Sequence, residues 1–209
     1  MDAEVFQAWI VAAAGAIEDN RDHLTQLDAA IGDADHGINM SRGFTAVLSV
    51  IDSAPATPGA ILTLTGNTLI SKVGGASGPL YGTAFRRAGK ALGDAADVDL
   101  PALAAALDAA LAGVQQLGAA RQGDKTMVDA LAVATSAFSK AIADGASADD
   151  ALSVLADAAA AGATATISMQ ALKGRASYLG PRSVGHEDPG AASTALILGA
   201  LRDAARAGR

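Results

Sequence analysis

The sequence predicts an all-α protein, and three features of its 209 residues favour this fold class. Hydrophobic residues make up 51% of the chain but aromatic residues only 3%, so alanine, leucine, valine and isoleucine must form the core. Alanine and leucine favour helices, whereas a β-sheet protein would need more valine, threonine and aromatic residues. Apolar residues also recur at spacings of three and four, the period of an amphipathic helix. We expect a single domain over residues 1–209.

The apolar periodicity predicts about eight helices. The first spans residues 3–19, with Trp9 as a core anchor. A short second helix spans residues 21–29 and carries Asp28 on its last turn. Further helical patterns cover these ranges: 40–51, 61–73, 79–92, 103–117, 127–142, 147–169 and 191–206. The longest stretch without periodicity is Lys173–Gly190, and loops of this length are usually functional or disordered.

The charge of the chain excludes several classes of protein. With a net charge of −7 and a pI near 4.8, the chain lacks the basic face that a nucleic-acid binder needs. There are no cysteines, so neither disulfides nor thiolate chemistry is available. The acidic start Met1–Glu4 does not resemble a signal peptide, and prolines and glycines interrupt the longest uncharged run, Ser53–Ser71. We expect a soluble cytoplasmic protein without a membrane span.

Three carboxylates are crowded into the stretch Leu27–Met40. Asp28, Asp33 and Asp35 lie among glycines there, and His36 and Asn39 follow directly. Aspartate oxygens are hard ligands that suit Mg²⁺, which substrate phosphates often share. Asp28 would also sit at a helix C-terminus, where a carboxylate is unfavourable without a cation. The alternative is that Asp33 and Asp35 are solvated turn residues and helix caps, and the residues alone do not decide between the two.

Two glycine-containing segments are candidate phosphate sites. The cluster Gly74–Pro79 precedes a helical pattern, so Ala76 and Ser77 could offer N–H and hydroxyl donors to a phosphate, although a tight turn between helices is the alternative. It lacks the dinucleotide-binding order of glycines. The segment Gly118–Thr126 contains a Gly-Asp-Lys-Thr run that is not a P-loop. It could form the rim of a nucleotide site, but an ordinary charged surface turn is favoured.

The irregular segment Lys173–Gly190 has the composition of an ordered lid. It mixes Tyr178, Leu179 and Val184 with basic residues, which is unusual for a flexible linker. Arg175 and Arg182 could bind phosphates through two parallel hydrogen bonds each. The sequence therefore predicts a second set of phosphate ligands far along the chain from the aspartates.

Taken in order, five motifs resemble those of the nucleotide-binding L subunit of bacterial dihydroxyacetone kinase, and the resemblance covers nearly the whole chain. The motifs are Asp28-x₄-Asp33-x-Asp35-His36-Gly37-x-Asn39-Met40, Gly74–Leu80, Gly123–Met127, Gly174–Gly180, and His186-x-Asp188-Pro189-Gly190. The resemblance implies a barrel of eight antiparallel helices with a nucleotide and two Mg²⁺ at its open end.

The resemblance also implies the ligands of that site. Asp28, Asp33 and Asp35 would hold the metal ions. The nucleotide would contact His36, Gly37, Ile38, Asn39, Ala76, Ser77, Gly118, Met127, Arg175, Asp188, Pro189 and Gly190. No residue of the chain would act as a catalytic base, since phosphoryl transfer depends mainly on positioning and metal electrostatics.

The activity implied is that of half an enzyme. Dihydroxyacetone would bind a separate K subunit, and a free-standing L chain resembles the phosphotransferase-dependent branch. In that branch ADP is a prosthetic group that a phosphohistidine carrier, the M subunit, rephosphorylates. One alternative is the L subunit of a split kinase that uses exchangeable ATP for dihydroxyacetone or another short ketose. Another is a non-catalytic sensor of nucleotide state that binds a partner such as a transcription regulator.

Overall fold

The computed structural model describes residues 1–53 and 57–208. This part of the chain is helical and contains no strand, so the predicted all-α class is confirmed. Its α-helices are α1 (Ala3–Asp19), α2 (Arg21–Ile31), α3 (His36–Leu48), α4 (Pro58–Lys72), α5 (Ser77–Leu92), α6 (Leu100–Gly118), α7 (Met127–Ala143), α8 (Ala148–Ala165) and α9 (Pro189–Ala207). Three 3-10 helices span Ile51–Ser53, Thr166–Ser168 and Arg175–Ser183. Pro55, within the predicted uncharged run, lies outside the described residues.

Side-chain caps and prolines determine where several helices begin. Ser147 caps α8, as the sequence predicts, and Asp99 caps α6 with Pro101 in its first turn. Thr126 and Asp129 form a reciprocal capping box at the start of α7. These caps satisfy backbone N–H groups that have no partner inside the helix. The helix starts are therefore encoded locally.

Eight of the helices contact one another in a closed ring. Each of α3 to α8 packs against the next helix in chain order, and α1 contacts both α3 and α9. The short helix α2 packs mainly against α3 and also touches α9. The ring encloses a core in which Trp9 is buried, and its Nε1 donates a hydrogen bond to the carbonyl oxygen of Ile197 at 2.8 Å. Trp9 is thus the core anchor that the sequence predicts. The antiparallel order of the helices stays a prediction.

The structure differs from the sequence prediction between α8 and α9. The predicted helix through residue 169 ends as an α-helix at Ala165 and continues only as a 3-10 turn. Thr166 Oγ1 donates to the carbonyl oxygen of Ala163 at 2.6 Å, which favours the tighter turn. The stretch predicted as irregular contains the 3-10 helix Arg175–Ser183, broken at Gly180. A 3-10 helix has three residues per turn, so the apolar spacing typical of an α-helix does not predict it.

Helices α4 and α5 pack so closely that glycines are required at their contact. A Cβ atom at Gly66 would lie 2.6 Å from the carbonyl oxygen of Gly82, and one at Gly82 would lie 2.7 Å from the carbonyl oxygen of Gly66. Real Cβ atoms do not approach backbone oxygens so closely. The two helix backbones therefore touch directly, which fixes the position of α5 in the ring.

Two ring helices have the length and hydropathy of a membrane span. They are Leu100–Gly118 and the continuous helical stretch Ala148–Ser168, each with a mean hydropathy of 1.3 over 18 residues. Each also packs against two neighbours in the ring, as the core helices of soluble proteins do. Their apolar composition follows from the alanine- and leucine-rich core, so length and composition alone are weak support for a membrane location.

We predict that Gly66→Ala destabilises the protein by about 1–3 kcal/mol, because the added methyl group must displace the backbone of α5. This outcome runs against helix propensity, which favours alanine by about 1 kcal/mol. Urea unfolding followed by circular dichroism would measure the change. Gly15→Ala on α1 is the control, since a Cβ there meets nothing within 4 Å and should not destabilise the protein. Equal or higher stability in both variants would contradict the close α4–α5 contact.

Candidate functional site

The turn between α2 and α3 gathers the three predicted aspartates. Asp28 lies on the last turn of α2, while Asp33 and Asp35 belong to the four-residue connection to α3. One carboxylate oxygen from each of the three side chains lies within 4.8 Å of the others. Mg²⁺ binds oxygen at about 2.1 Å, so opposite ligands of one ion lie about 4 Å apart. The spacing of these oxygens suits one or two small divalent cations.

Asp28 is also the cap of α3. Its Oδ2 accepts hydrogen bonds from the backbone N–H groups of Asp35 at 2.8 Å and His36 at 3.1 Å. Its Oδ1 leaves no room for a side chain at Gly32, where a Cβ would lie 1.9 Å away. Asp28 is thus a helix cap, and its role with Asp33 and Asp35 as a metal ligand stays a prediction. Capping holds the carboxylate in a fixed place beside the other two.

A buried polar network connects α3, α5 and α9 behind the aspartates. His36 Nδ1 lies 3.1 Å from Ser77 Oγ, and His36 Nε2 lies 2.8 Å from Ser193 Oγ. Ser193 Oγ is 2.6 Å from the hydroxyl of Tyr81, which donates to the carbonyl oxygen of Gly190 at 2.7 Å.

Burial lowers the pKa of His36 to about 4, against the opposing effect of Asp28 and Asp35, and raises the pKa of Tyr81. At neutral pH the network is uncharged and holds three helix starts in register.

The starts of α5 and α9 point into the same cleft. The residue before α5 is Ala76, so no side chain caps the N–H groups of its first turn. Such groups attract anions. At the start of α9, Asp188 Oδ2 accepts from the N–H of Ala191 at 2.7 Å, and Pro189 and Gly190 follow. Burial raises the pKa of Asp188 to about 7. One helix start thus offers free donors, and the other carries a carboxyl that is partly protonated near neutral pH.

The 3-10 helix Arg175–Ser183 lies over the end of α2. Ala176 packs in a small apolar cluster with Ile31 and Ala171, and Leu179 borders it. Arg175 Nη2 forms an ion pair with Asp33 Oδ2 at 3.0 Å. Both side chains are partly exposed, 68% and 38%, so the pair contributes at most about 1 kcal/mol. The predicted ordered cover is therefore in contact with the aspartate turn.

The turn before α7 is exposed at residues 121–123 but buried at Asp124 and Lys125, which departs from the favoured interpretation of an ordinary surface turn. Asp124 and Lys125 are 4% and 1% exposed. The carboxylate of Asp129 accepts hydrogen bonds from the backbone N–H groups of Gly123 and Thr126. These N–H groups are engaged, which agrees with the rejection of a P-loop. Lys125 and Thr126 of this turn, together with Met127, line the cleft.

One cleft collects most of the predicted site residues. Its lining includes Asp28, Asp33, Asp35, His36, Ala76, Ser77, Met127, Arg175, Asp188, Pro189 and Gly190. The predicted ligands did not include other residues of this lining, notably Gly32, Tyr81, Thr126 and Lys173. Polar side chains on the buried faces of α5 and α9 are the signal that could have identified the network around Tyr81.

Four predicted nucleotide contacts lie outside the cleft lining. Gly37 faces α2, where a Cβ would lie 2.0 Å from the carbonyl oxygen of Arg21. Ile38 is 52% exposed, and the buried Asn39 accepts a hydrogen bond from Arg42. Gly118 lies behind Leu80, which does line the cleft. Arg182, the other arginine predicted to bind phosphate, is exposed and is not part of this lining.

Comparison with known proteins identifies the family. The model of the DAK2 domain matches residues 30–203. The chain belongs to the DAK2 family. It is 42% identical over 199 residues to the ADP-binding subunit of the PEP-dependent dihydroxyacetone kinase of Escherichia coli K12, covering 95% of both chains. The resemblance predicted from the five motifs is thereby confirmed.

Two further comparisons support the same assignment for this DAK2 chain. The ADP-binding subunit of PEP-dependent dihydroxyacetone kinase 1 of Listeria innocua is 39% identical over 194 residues, 92% of each chain. The fold matches the crystal structure of the C. freundii dihydroxyacetone kinase in complex with AMP-PNP and Mg²⁺, with a TM-score of 0.70 and 28% identity. The match covers 94% of the DAK2 chain but 33% of that larger protein.

We predict that Asp188→Asn changes the pH dependence of stability. Folding raises the pKa of Asp188, so the protonated carboxyl stabilises the folded state, and this contribution to the free energy of unfolding is complete below pH 4. It is lost as the pH rises through about 7, by at most about 1.4 kcal/mol per pH unit. His36 acts in the opposite sense, because its pKa is lowered by folding. Asparagine retains the cap of α9, so the variant should gain stability relative to wild type between pH 4 and 7. Urea unfolding across this range would measure the difference, and parallel profiles would contradict it.

Proposed function

We propose that this chain is the nucleotide-binding, phosphoryl-transferring subunit of a dihydroxyacetone kinase. The observation that carries the proposal is the cleft in which three clustered carboxylates face the uncapped start of α5. Carboxylates alone would repel a nucleotide, and free helix N–H groups alone would bind any anion. Together they suit a metal–nucleotide complex, and relatives at 39–42% identity are ADP-binding kinase subunits.

Asp28, Asp33 and Asp35 are the proposed ligands of two Mg²⁺ ions. Their oxygens are close enough for metal coordination, and the cap of α3 leaves Oδ1 of Asp28 available for it. Mg²⁺ bound there would bridge phosphate oxygens and neutralise charge during transfer. The remaining coordination positions would be taken by phosphates and water.

The proposed phosphate ligands are the start of α5 and the cover. Ala76 and Ser77 present backbone N–H groups, and His36 holds the Ser77 hydroxyl in place. Arg175 lines the same cleft and can turn from Asp33 to a phosphate, since the ion pair is weak. The other proposed nucleotide contacts are Gly37, Ile38, Asn39, Gly118, Met127, Asp188, Pro189 and Gly190.

The chain contributes positioning rather than acid–base chemistry. His36 is neutral and buried, and Asp188 caps α9, so neither is placed to act as a strong base. The 3-10 cover lies beside the aspartate turn, where it would limit the access of water to a bound phosphate. The hydroxyl acceptor would come from dihydroxyacetone held on a separate K subunit. Its attack would break the bond between the transferred phosphorus and the bridging oxygen, leaving ADP and releasing the hydroxyl proton.

We propose that ADP stays bound between turnovers and that a phosphohistidine carrier of the M type is the donor. Transfer from the carrier would break its P–N bond and form the terminal phosphate bond of ATP. Support comes from the names of the relatives, which are PEP-dependent kinases of similar chain length. The alternative donor is free ATP. In either case we propose a cytoplasmic enzyme that acts on a small soluble ketose.

We predict that Asp33→Asn lowers Mg²⁺-dependent ADP affinity at least about tenfold, because an amide is a poorer ligand for a hard cation than a carboxylate. Helical content should be unchanged, since Asp33 lies in a turn. Calorimetry with ADP and Mg²⁺, together with circular dichroism, would test this. Asp97→Asn in the exposed turn before α6 is the matched control. Equal ADP affinity in Asp33→Asn and wild type would refute the metal-ligand assignment.

The phosphoryl donor can be decided with the same preparations. Protein isolated without added nucleotide would be denatured, and the released nucleotide would be identified by chromatography. ADP in the supernatant, and phosphate transfer to dihydroxyacetone when a K subunit and a phosphorylated carrier are supplied, would support the prosthetic form. Transfer only with added ATP would favour the split ATP-dependent kinase. Nucleotide binding with no transfer under any condition would refute the kinase proposal.

We predict that Arg175→Met has opposite effects on the two ligands. Asp33 loses a competing cation, so the affinity for Mn²⁺ without nucleotide should rise about two- to fivefold, as expected for a weak ion pair. The affinity for ADP with Mg²⁺ should fall, because a phosphate ligand is lost. Electron paramagnetic resonance of free Mn²⁺ and calorimetry with ADP would measure the two affinities. Arg182→Met is the control on the same segment, and a parallel fall of both affinities would contradict the competition.

A further inference from the structure

The segment between α8 and α9 is a loop whose two ends meet. The N–H of Gly185 donates to the carbonyl oxygen of Ile167 at 2.7 Å, and the N–H of Asp188 donates to Thr166 Oγ1 at 2.9 Å. Compact loops of about 6–16 residues closed in this way are Ω-loops, which are packed by their own side chains, and this segment is a longer loop of the same kind. We name residues 167–187 the Ω-loop, and the contacts between its two ends form its neck. Arg175 lies inside the loop, and Asp188 follows directly.

Lys125 reaches this neck from the turn before α7. Its ammonium group donates hydrogen bonds to the carbonyl oxygens of Thr166, at 2.5 Å, and His186. These carbonyls come from opposite sides of the neck, about twenty residues apart in sequence. Lys125 is 1% exposed, so these bonds have little access to solvent. One side chain therefore joins the beginning of the Ω-loop to its end.

The backbone and the charges around Lys125 support a specific role. Its φ angle is +60°, a backbone conformation that residues other than glycine rarely adopt. Burial lowers the pKa of its ammonium, while the neighbouring Asp188, Asp129 and Glu187 oppose this effect. A buried lysine in an unfavourable backbone conformation persists only where surrounding contacts require it. The N–H of Leu172, inside the Ω-loop, also donates to the carbonyl oxygen of Asp124 in the same turn, at 3.0 Å.

We propose that Lys125 is a positioning residue for nucleotide binding, because it closes the neck of the Ω-loop. The closed neck sets where Arg175 meets the cleft and where the Asp188–Gly190 start of α9 lies. The aspartate turn depends on α2 and α3 instead, since Asp28 caps α3 without help from Lys125. This inference rests on the proposed function, as it assumes that the cleft binds a nucleotide.

The test is Lys125→Met in the full chain, with Lys140→Met as control, since Lys140 is an exposed lysine on α7 that pairs with the exposed Asp144. We expect Lys125→Met to weaken ADP binding with Mg²⁺ at least tenfold without reducing Mn²⁺ affinity measured in the absence of nucleotide. Hydrogen–deuterium exchange should rise in residues 167–187 and stay unchanged in α4 and α5. Lys140→Met should match wild type in all three measurements.

The outcomes separate this inference from the proposed function. If wild-type protein binds no ADP, the proposed function fails. If wild type binds ADP and Lys125→Met binds it equally well, the role of Lys125 is refuted. A parallel loss of Mn²⁺ binding and of protection in α4 and α5 would also overturn it, because Lys125 would then support the whole fold.

If Lys125→Met does not fold, Thr166→Val provides the decision. This variant removes the hydroxyl that accepts from Asp188 but keeps the carbonyl oxygen that binds Lys125. We expect a smaller loss of ADP affinity, about threefold, with increased exchange confined to the Ω-loop. Unchanged ADP affinity and unchanged exchange in Thr166→Val would overturn the proposal that the neck positions the site.

Discussion

The carboxylate of Asp28 connects the end of α2 to the start of α3. One oxygen caps the start of α3 through the N–H groups of Asp35 and His36, and the other lies against Gly32. A carboxylate at the C-terminus of α2 is unfavourable by itself, but at the N-terminus of α3 it is stabilising. The turn is therefore held in a shape that brings Asp33 and Asp35 close to Asp28. Such crowding of like charges favours a cation at this turn, which lines the same cleft as the starts of α5 and α9.

The buried network then transmits the position of this turn to the other helices. His36 follows the capped turn directly and contacts Ser77 and Ser193, so the starts of α5 and α9 are placed relative to the aspartates. Because His36 is buried and neutral, it adds no positive charge that would compete for the carboxylates. In the proposed function the tasks are divided: the clustered carboxylates would hold cations, and the uncapped backbone N–H groups at the start of α5 would meet anions.

Local sequence signals predicted the helices well. The bounds of α1 agree with the prediction, and the start of α8 lies where Ser147 and its following aspartates place it. The structure departs from the prediction where the local period changes, at the 3-10 turns before α9. The turn containing Lys125 was misjudged for a different reason. Its charged residues are typical of a surface, and only contacts with Thr166 and His186, far along the chain, explain their burial.

The sequence by itself determined the helical class, which three aspartates cluster between α2 and α3, and the family to which the chain belongs. These features depend on residue type and short spacing, which are written locally in the chain. Only the tertiary structure decided that Asp28 caps α3, that His36 joins Ser77 to Ser193, and that Lys125 closes the Ω-loop. Each of these depends on backbone groups or on residues distant in sequence, and side-chain identity does not reveal such partners until the helices have packed.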